Sequence, residues 1–191
     1  IAGVGAAIAA ARGGCSTLIV EQTSALGGLA TMGLVNIPMD YLSGIGEEMF
    51  RELTAVDGLW HRNSDPEKHK LVLDRMVKAA GCDVLFVTTV VEALMRGEAI
   101  AGVVVESKSG RQAIRAKRVV DCSGDGDAAF FAGCDFAVGR ESDGFTQGCS
   151  LEFRLGGVDW DSYQSSECKA KDPRWEKLID EALAAGMLPY P

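Results

Sequence analysis

The sequence predicts an α/β fold, an open sheet whose strands alternate with helices, on three observations. A helix made almost entirely of small residues runs into a glycine stop and then a short apolar strand. The hydrophobic period switches from helical to extended near residue 82. Three consecutive β runs then stand where such a sheet would ordinarily carry a crossover helix.

The opening stretch "IAGVGAAIAAARGGCSTLIVEQ" carries the first observation. Gly3 and Gly5 do not begin a G-x-G-x-x-G fingerprint, because its last position would fall on Ile8 and no strand runs into it. Gly3 fits instead as the last glycine of that fingerprint, after Ile1 and Ala2. The remaining features follow in the expected order. Ala6, Ala7, Ala9, Ala10 and Ala11 supply a helix that can lie close to a sheet, and Gly13-Gly14 stops it after Arg12. "STLIVE" is the next strand, ending at Glu21, 18 positions past Gly3. An acid about 20 residues on is placed to accept the hydroxyls of an adenosine ribose. On this reading the first strand and the first two glycines are expected before residue 1, and the sequence is expected to be part of a longer polypeptide. The competing explanation is an Ala-rich helix and an ordinary strand in some other α/β protein.

"QTSALGGLATMGLVN" reads as a glycine-punctuated loop. "GIGEEMFRELTAVDG" is predicted helical, with Ile45, Met49, Phe50 and Leu53 on one face. "SDPEKHKLVLDRMVKAAG" predicts a second helix, with Asp65 as N-cap, Pro66 in the first turn and Gly81 as the stop. Its buried stripe is expected to be Leu71, Leu73, Met76 and Val77. His69 is expected on the exposed side of that helix, and His61 in a loop; both read as surface histidines. "DVLFVT" begins the extended part. "TVVEALMRG", "AIAGVVVES" and "RQAIRAK" follow as a three-stranded antiparallel meander, broken at Gly97-Glu98 and Ser109-Gly110. "RVVDCS" reads as a buried strand over 118–122, feeding the turn "GDGD" and a short helix, "AAFFAG". Beyond Gly139 the texture changes. "SLEFRLGGVD" is expected to be a strand entering a different domain, and "DPRWEKLIDEALAAG" an amphipathic helix with Pro173 near its start.

At 191 residues and 47% hydrophobic, the sequence can hold one good core, or one domain and part of another. A formal charge of −8 argues against a nucleic-acid partner, since no basic stripe exists to neutralise phosphates. No apolar run approaches the roughly 20 residues needed to span a bilayer, so no membrane partner is expected. Cys15, Cys82, Cys122, Cys134, Cys149 and Cys168 show no C-x-x-C spacing. No metal site is expected, and the cysteines read as small buried groups of a protein in a reducing cytosol, hence cytoplasmic.

The β meander in place of a crossover helix, followed by "DCSGDGD", resembles the FAD domain of glutathione-reductase-like flavoproteins. More narrowly, the sequence resembles the FAD-dependent oxidoreductase family related to fumarate reductase flavoproteins. The matching pieces are "AG", "AAIAAARGG", "LIVEQ", "LGGLATMGLVN", "SGIGEEMFREL", "AKRVVDCSGDGDAAFFAG" and "TQGCSLEFRL", in that order, over roughly residues 1 to 160. Two runs, from "NIPMDY" to "LSGIG" and around "GLWHRNSD", are shorter than the family's pattern. The resemblance implies a Rossmann-like FAD-binding domain over 1–145, incomplete at its N-terminus, and the start of a substrate domain over 146–191, also incomplete.

The resemblance also implies the cofactor, FAD, and its contacts. Ala2 and Gly3, at the start of the first helix, would face the pyrophosphate. Glu21, with Gln22 beside it, would bind the adenosine ribose. Gly27 and Gly28 would let the backbone approach the ribityl chain and flavin, where Thr31 would offer a hydroxyl. Val90 would meet the adenine through its main chain. Gly124 would allow close approach, with Ser123 or Asp125 beside the cofactor. An S-G-D-G-D turn by itself equally suits a metal or a plain connection, although it lacks an EF-hand's spacing. No catalytic acid or base is identified. The expected partner is a small-molecule substrate, and self-association into a homo-oligomer stays open. Two other readings are a thiazole-synthase-like protein of the same fold that holds NAD as a reactant, and a binding module that has lost its cofactor.

Overall fold

The computed structural model describes residues 1–37, 43–60, 63–165 and 176–187. The chain divides into two compact units, Ile1–Glu152 and Phe153–Pro191. In the first, helix α1 (Ala2–Arg12) is followed by strand β1 (Leu18–Val20), and β1 pairs in parallel with β4 (Asp83–Leu85). Between them lie α2 (Gly44–Ala55), a hairpin of β2 (Leu59–Trp60) and β3 (Asn63–Ser64), and α3 (Pro66–Ala79). A parallel pair needs a long crossover, and α2 and α3 occupy this one. Sequence periodicity did not disclose the hairpin, whose strands hold two residues each.

Local chemistry accounts for the helix ends. α1 stops at Arg12, and Gly14 takes a φ of 85°, which a residue with a side chain rarely adopts. The Asp65 carboxylate accepts from the N–H groups of Glu67 and Lys68, with Pro66 in the first turn, so α3 starts where its cap dictates. Arg12 grips Glu48 with both terminal guanidinium nitrogens, Nη1 and Nη2, at 2.9 and 2.7 Å, tying α1 to α2.

The three helices close a core of Val4, Ile8, Leu26, Met49, Leu53, Val72, Leu73, Met76 and Val77, with Ile19 and Val84 of the parallel pair packed against it. Small residues on α1 permit this close packing. The stripe of α3 differs from the expected one. Leu71 is 43% exposed, and His69 is fully buried. His69 is therefore not a surface histidine. Its Nδ1 lies 3.3 Å from Ser64 Oγ and its Nε2 3.4 Å from Met49 Sδ, so both ring nitrogens have partners. Burial lowers its pKa to about 4. Phe50 is likewise exposed on α2, whereas Met49 and Leu53 are buried. His61 lies outside the described residues.

β5 (Thr89–Arg96), β6 (Ala99–Ser107) and β7 (Gly110–Arg115) pair antiparallel in chain order, with irregularities between Val90 and Glu92 and between Leu94 and Met95. Gly102 to Val105 of the central strand are all buried. A β-carbon on Gly102 would strike the Ile114 carbonyl, so glycine is required there. Helix α4 (Asp127–Phe131) packs against β5.

Two expected strands are not formed. Residues 118–122 run without a ladder partner, and Val120 is 70% exposed. A run of β-type residues becomes a strand only when another backbone takes its N–H and C=O groups, and none among the described residues does so. Residues 151–156, expected extended, likewise carry no ladder, and their side chains are exposed. The cysteines also depart from expectation: Cys15, Cys122, Cys134 and Cys149 are exposed and Cys82 is partly buried. The four exposed ones fall in segments outside the core. Cys168 and Pro173 lie outside the described residues.

The second unit holds α5 (Trp160–Ser165) and α6 (Glu176–Ala184). Asp159 starts the first of these, accepting from the Ser162 N–H at 3.0 Å and the Ser162 hydroxyl at 2.7 Å. No helix among the described residues is long and apolar enough to cross a membrane.

Candidate functional site

The start of α1 meets the glycine turn that follows residues 118–122. Together they form an open cleft of about 470 Å³, lined by Ala2, Asp121, Cys122, Gly124, Gly126 and Ala129. Gly3 makes this approach possible, since a β-carbon there would lie 3.3 Å from that of Cys122. The N-cap of α1, Ile1, offers its first-turn N–H groups no side-chain acceptor.

The turn is braced from within. Asp121 accepts the Ser123 N–H on Oδ1 and the Ala129 N–H on Oδ2, both at 2.9 Å. Partial burial would raise the Asp121 pKa, but those N–H groups and the Ser123 side chain outweigh it and hold the carboxyl below its usual range. Ser123 Oγ accepts the N–H groups of Gly126 and Asp127, each at 3.0 Å. Its oxygen is thus engaged in shaping the turn. Gly124 and Gly126 take φ values of 92° and 76°, with open space where a β-carbon would stand. Asp125 is exposed on the turn.

Glu21 follows β1 and extends its pairing. The Glu21 N–H donates to Leu85 O at 2.9 Å, and the Thr88 N–H donates to Glu21 O at 3.0 Å. Its carboxylate is half-buried and accepts from Thr23. Gln22 is exposed beside it. Glu21 does not line the cleft of α1. Val90 lies two residues past Thr88, half-buried on β5 and paired with Val105.

The glycine loop reaches the same helix start. The Ile1 nitrogen donates to Gly27 O at 3.5 Å. Gly27 has a φ of 113° and is buried, whereas Gly28 is exposed at the head of a 3-10 turn, Gly28–Ala30. Thr31 is fully buried, and its hydroxyl donates to Leu26 O at 2.6 Å. That proton braces the loop. The structure therefore brings Ala2, Gly3, Gly27 and Gly124 around one helix end. Asp121, Gly126 and Thr23 were not singled out by sequence reasoning. For Asp121, the signal was an acid two and eight positions before amides that need acceptors.

A family model described as "FAD dependent oxidoreductase" matches residues 1–186. Among curated proteins none matches the sequence significantly. Of the solved structures, THI4 of Thermovibrio ammonificans aligns with a TM-score of 0.51 and 19% identity, over 72% of this chain and 62% of its own. CabE, an aromatic hydroxylase from angucycline biosynthesis, aligns with a TM-score of 0.50 and 19% identity, over 70% of this chain and 31% of its own. Both are likenesses of fold. The chain spans under two thirds of either structure.

Proposed function

We propose, for a chain that belongs to the FAD dependent oxidoreductase family, that it binds FAD around the start of α1 and serves an oxidoreductase acting on a small molecule. The observation that carries this reading is the cleft in which Ala2 meets Gly124 and Gly126. The residues fit the group. Side-chain-uncapped amides at the start of α1 suit a pyrophosphate, because the helix end carries partial positive charge without any lysine. That matters in a protein of net charge −8.

Each residue has a role in this reading. The main chain at Ala2 and Gly3 binds the pyrophosphate. Glu21, flanked by Gln22, accepts from the adenosine ribose, and Val90 meets the adenine through its main chain. Gly27 and Gly28 let the backbone approach the ribityl chain and flavin, with Thr31 bracing that loop. Gly124 permits close approach, with Ser123 shaping the turn and Asp125 beside the cofactor. Bound flavin supplies hydride or electron transfer, while the protein orients it and excludes water. Residues 1–145 form the FAD-binding domain and 146–191 begin the substrate domain; the division into compact units after Glu152 supports a boundary in this stretch. The thiazole-synthase-like reading with NAD suits the same fold, but the matching family model favours flavin.

The test is the visible spectrum of the purified full-length protein, followed by FAD titration of Glu21→Ala. Flavin bands released on denaturation are expected. The variant should lose about 1–3 kcal/mol of FAD affinity, the cost of leaving ribose hydroxyls poorly paired. A colourless protein that refuses added FAD would overturn the proposal.

A further inference from the structure

One residue supplies two of the hydrogen bonds to the Glu21 carboxylate. Oε1 accepts the Thr23 N–H and the Thr23 hydroxyl, each at 2.8 Å. The same hydroxyl oxygen lies 2.8 Å from the carbonyl oxygen of Ala25. A threonine hydroxyl has a single proton, so at any moment it donates to the carboxylate or to the carbonyl. The Thr23 backbone is held independently of its side chain. The Val87 N–H donates to Thr23 O at 3.0 Å, and Glu21 is bonded on both sides of its own peptide to Leu85 and Thr88. Val87 is a β-branched residue at a φ of 51°, a strained conformation that these bonds help to impose.

We propose that Thr23 is a positioning residue for Glu21, one that fixes Oε1 and thereby presents Oε2 to the hydroxyls of the adenosine ribose. This rests on the FAD-binding reading above. A free glutamate must surrender three side-chain torsions when it binds a diol, and a carboxylate ordered in advance avoids that cost. The backbone amide alone restrains Oε1 from one direction; the hydroxyl, when its proton faces the carboxylate, adds a second restraint on the same oxygen. Its alternative acceptor, Ala25 O, immediately precedes Leu26, whose carbonyl takes the Thr31 proton. The side chains of Thr23 and Thr31 thus reach adjacent carbonyls, Ala25 O and Leu26 O, in the segment between the ribose acid and the glycine loop.

The experiment is FAD titration of the full-length protein by quenching of flavin fluorescence, for wild type, Thr23→Val, Thr23→Ser, Glu21→Ala and the Thr23→Val/Glu21→Ala double variant. Thr23→Val should weaken FAD binding roughly 3- to 10-fold, in the range of one charge-assisted hydrogen bond. Thr23→Ser should restore it. In the Glu21→Ala background, Thr23→Val should add nothing, because the group it positions is gone. Thr23→Val binding as wild type, or an equal loss with and without Glu21, would overturn the proposal while leaving the Glu21 assignment intact. A Glu21→Ala variant that retains FAD fully would instead overturn the ribose assignment itself.

Discussion

Gly3 packs directly against Cys122: a methyl group on Gly3 would lie 3.3 Å from the Cys122 β-carbon. The contact sets how closely α1 approaches the glycine turn, and hence the width of the cleft between them. Gly3→Ala needs its neighbour to give by only a few tenths of an ångström and should retain most of its flavin. Gly3→Val adds two further methyl groups at a point already in contact, an overpacking of about 1–3 kcal/mol. Its FAD affinity, read by titration of the flavin absorbance, should fall roughly 5- to 150-fold if that cost is borne by the bound form.

Gly27 is more tightly enclosed. A β-carbon there would lie 2.6 Å from Thr31 Cγ2 and Oγ1 and 2.9 Å from Leu73 Cδ1, at a φ of 113°. Gly27→Ala combines left-handed backbone strain with core overpacking and should destabilise the fold by about 2–4 kcal/mol. The urea midpoint should drop with little change in slope. A midpoint equal to wild type would show that the loop has another conformation.

Asp121 holds the turn by accepting the amides of Ser123 and Ala129, two and eight positions further along the chain. Asp121→Ala leaves the Ala129 amide without an acceptor in a partly buried place and the Ser123 amide to solvent, a cost of about 1–2 kcal/mol. Asp121→Asn keeps one acceptor oxygen and should lie between the two. FAD affinity should fall in the same order, because the turn carries Gly124. Equal affinity in all three proteins would separate the turn's shape from cofactor binding.

His69 sets a pH dependence of stability. Its pKa is about 4 in the folded protein against an ordinary 6.5, so between these values the unfolded chain binds the proton and the folded one does not. Stability is therefore full above about pH 6.5 and falls as the pH drops toward 4, by on the order of 3 kcal/mol. Chemical denaturation across that window should show the decline. His69→Leu should be less stable at neutral pH, having lost its contacts to Ser64, but its stability curve should flatten over the same window.

Several of these features are legible in the amino-acid order alone. Asp65 and Pro66 mark the start of α3 through side-chain chemistry acting over three residues. Gly13-Gly14 stops α1 through a backbone preference that is local as well. The burial of His69 is written in its spacing too: with Val72, Leu73, Met76 and Val77 it completes a helical stripe at i, i+3, i+4, i+7 and i+8. Its charged neighbours Lys68 and Lys70 mask that stripe and make the histidine look like part of the polar face. Thr23 and Asp121 were hidden, because a short polar residue in a loop looks the same whether it faces solvent or braces a site.

The amino-acid sequence by itself determined the helix limits, the change from helical to extended period and the family to which the chain belongs. All three depend on interactions between near neighbours or on ordered motifs. Only the tertiary structure decided that residues 118–122 lack a ladder, that Thr31 gives its proton to the loop, and that Gly3 meets Cys122. Pairing and burial depend on groups far apart in the chain, and no local pattern records which distant backbone arrives to accept a hydrogen bond.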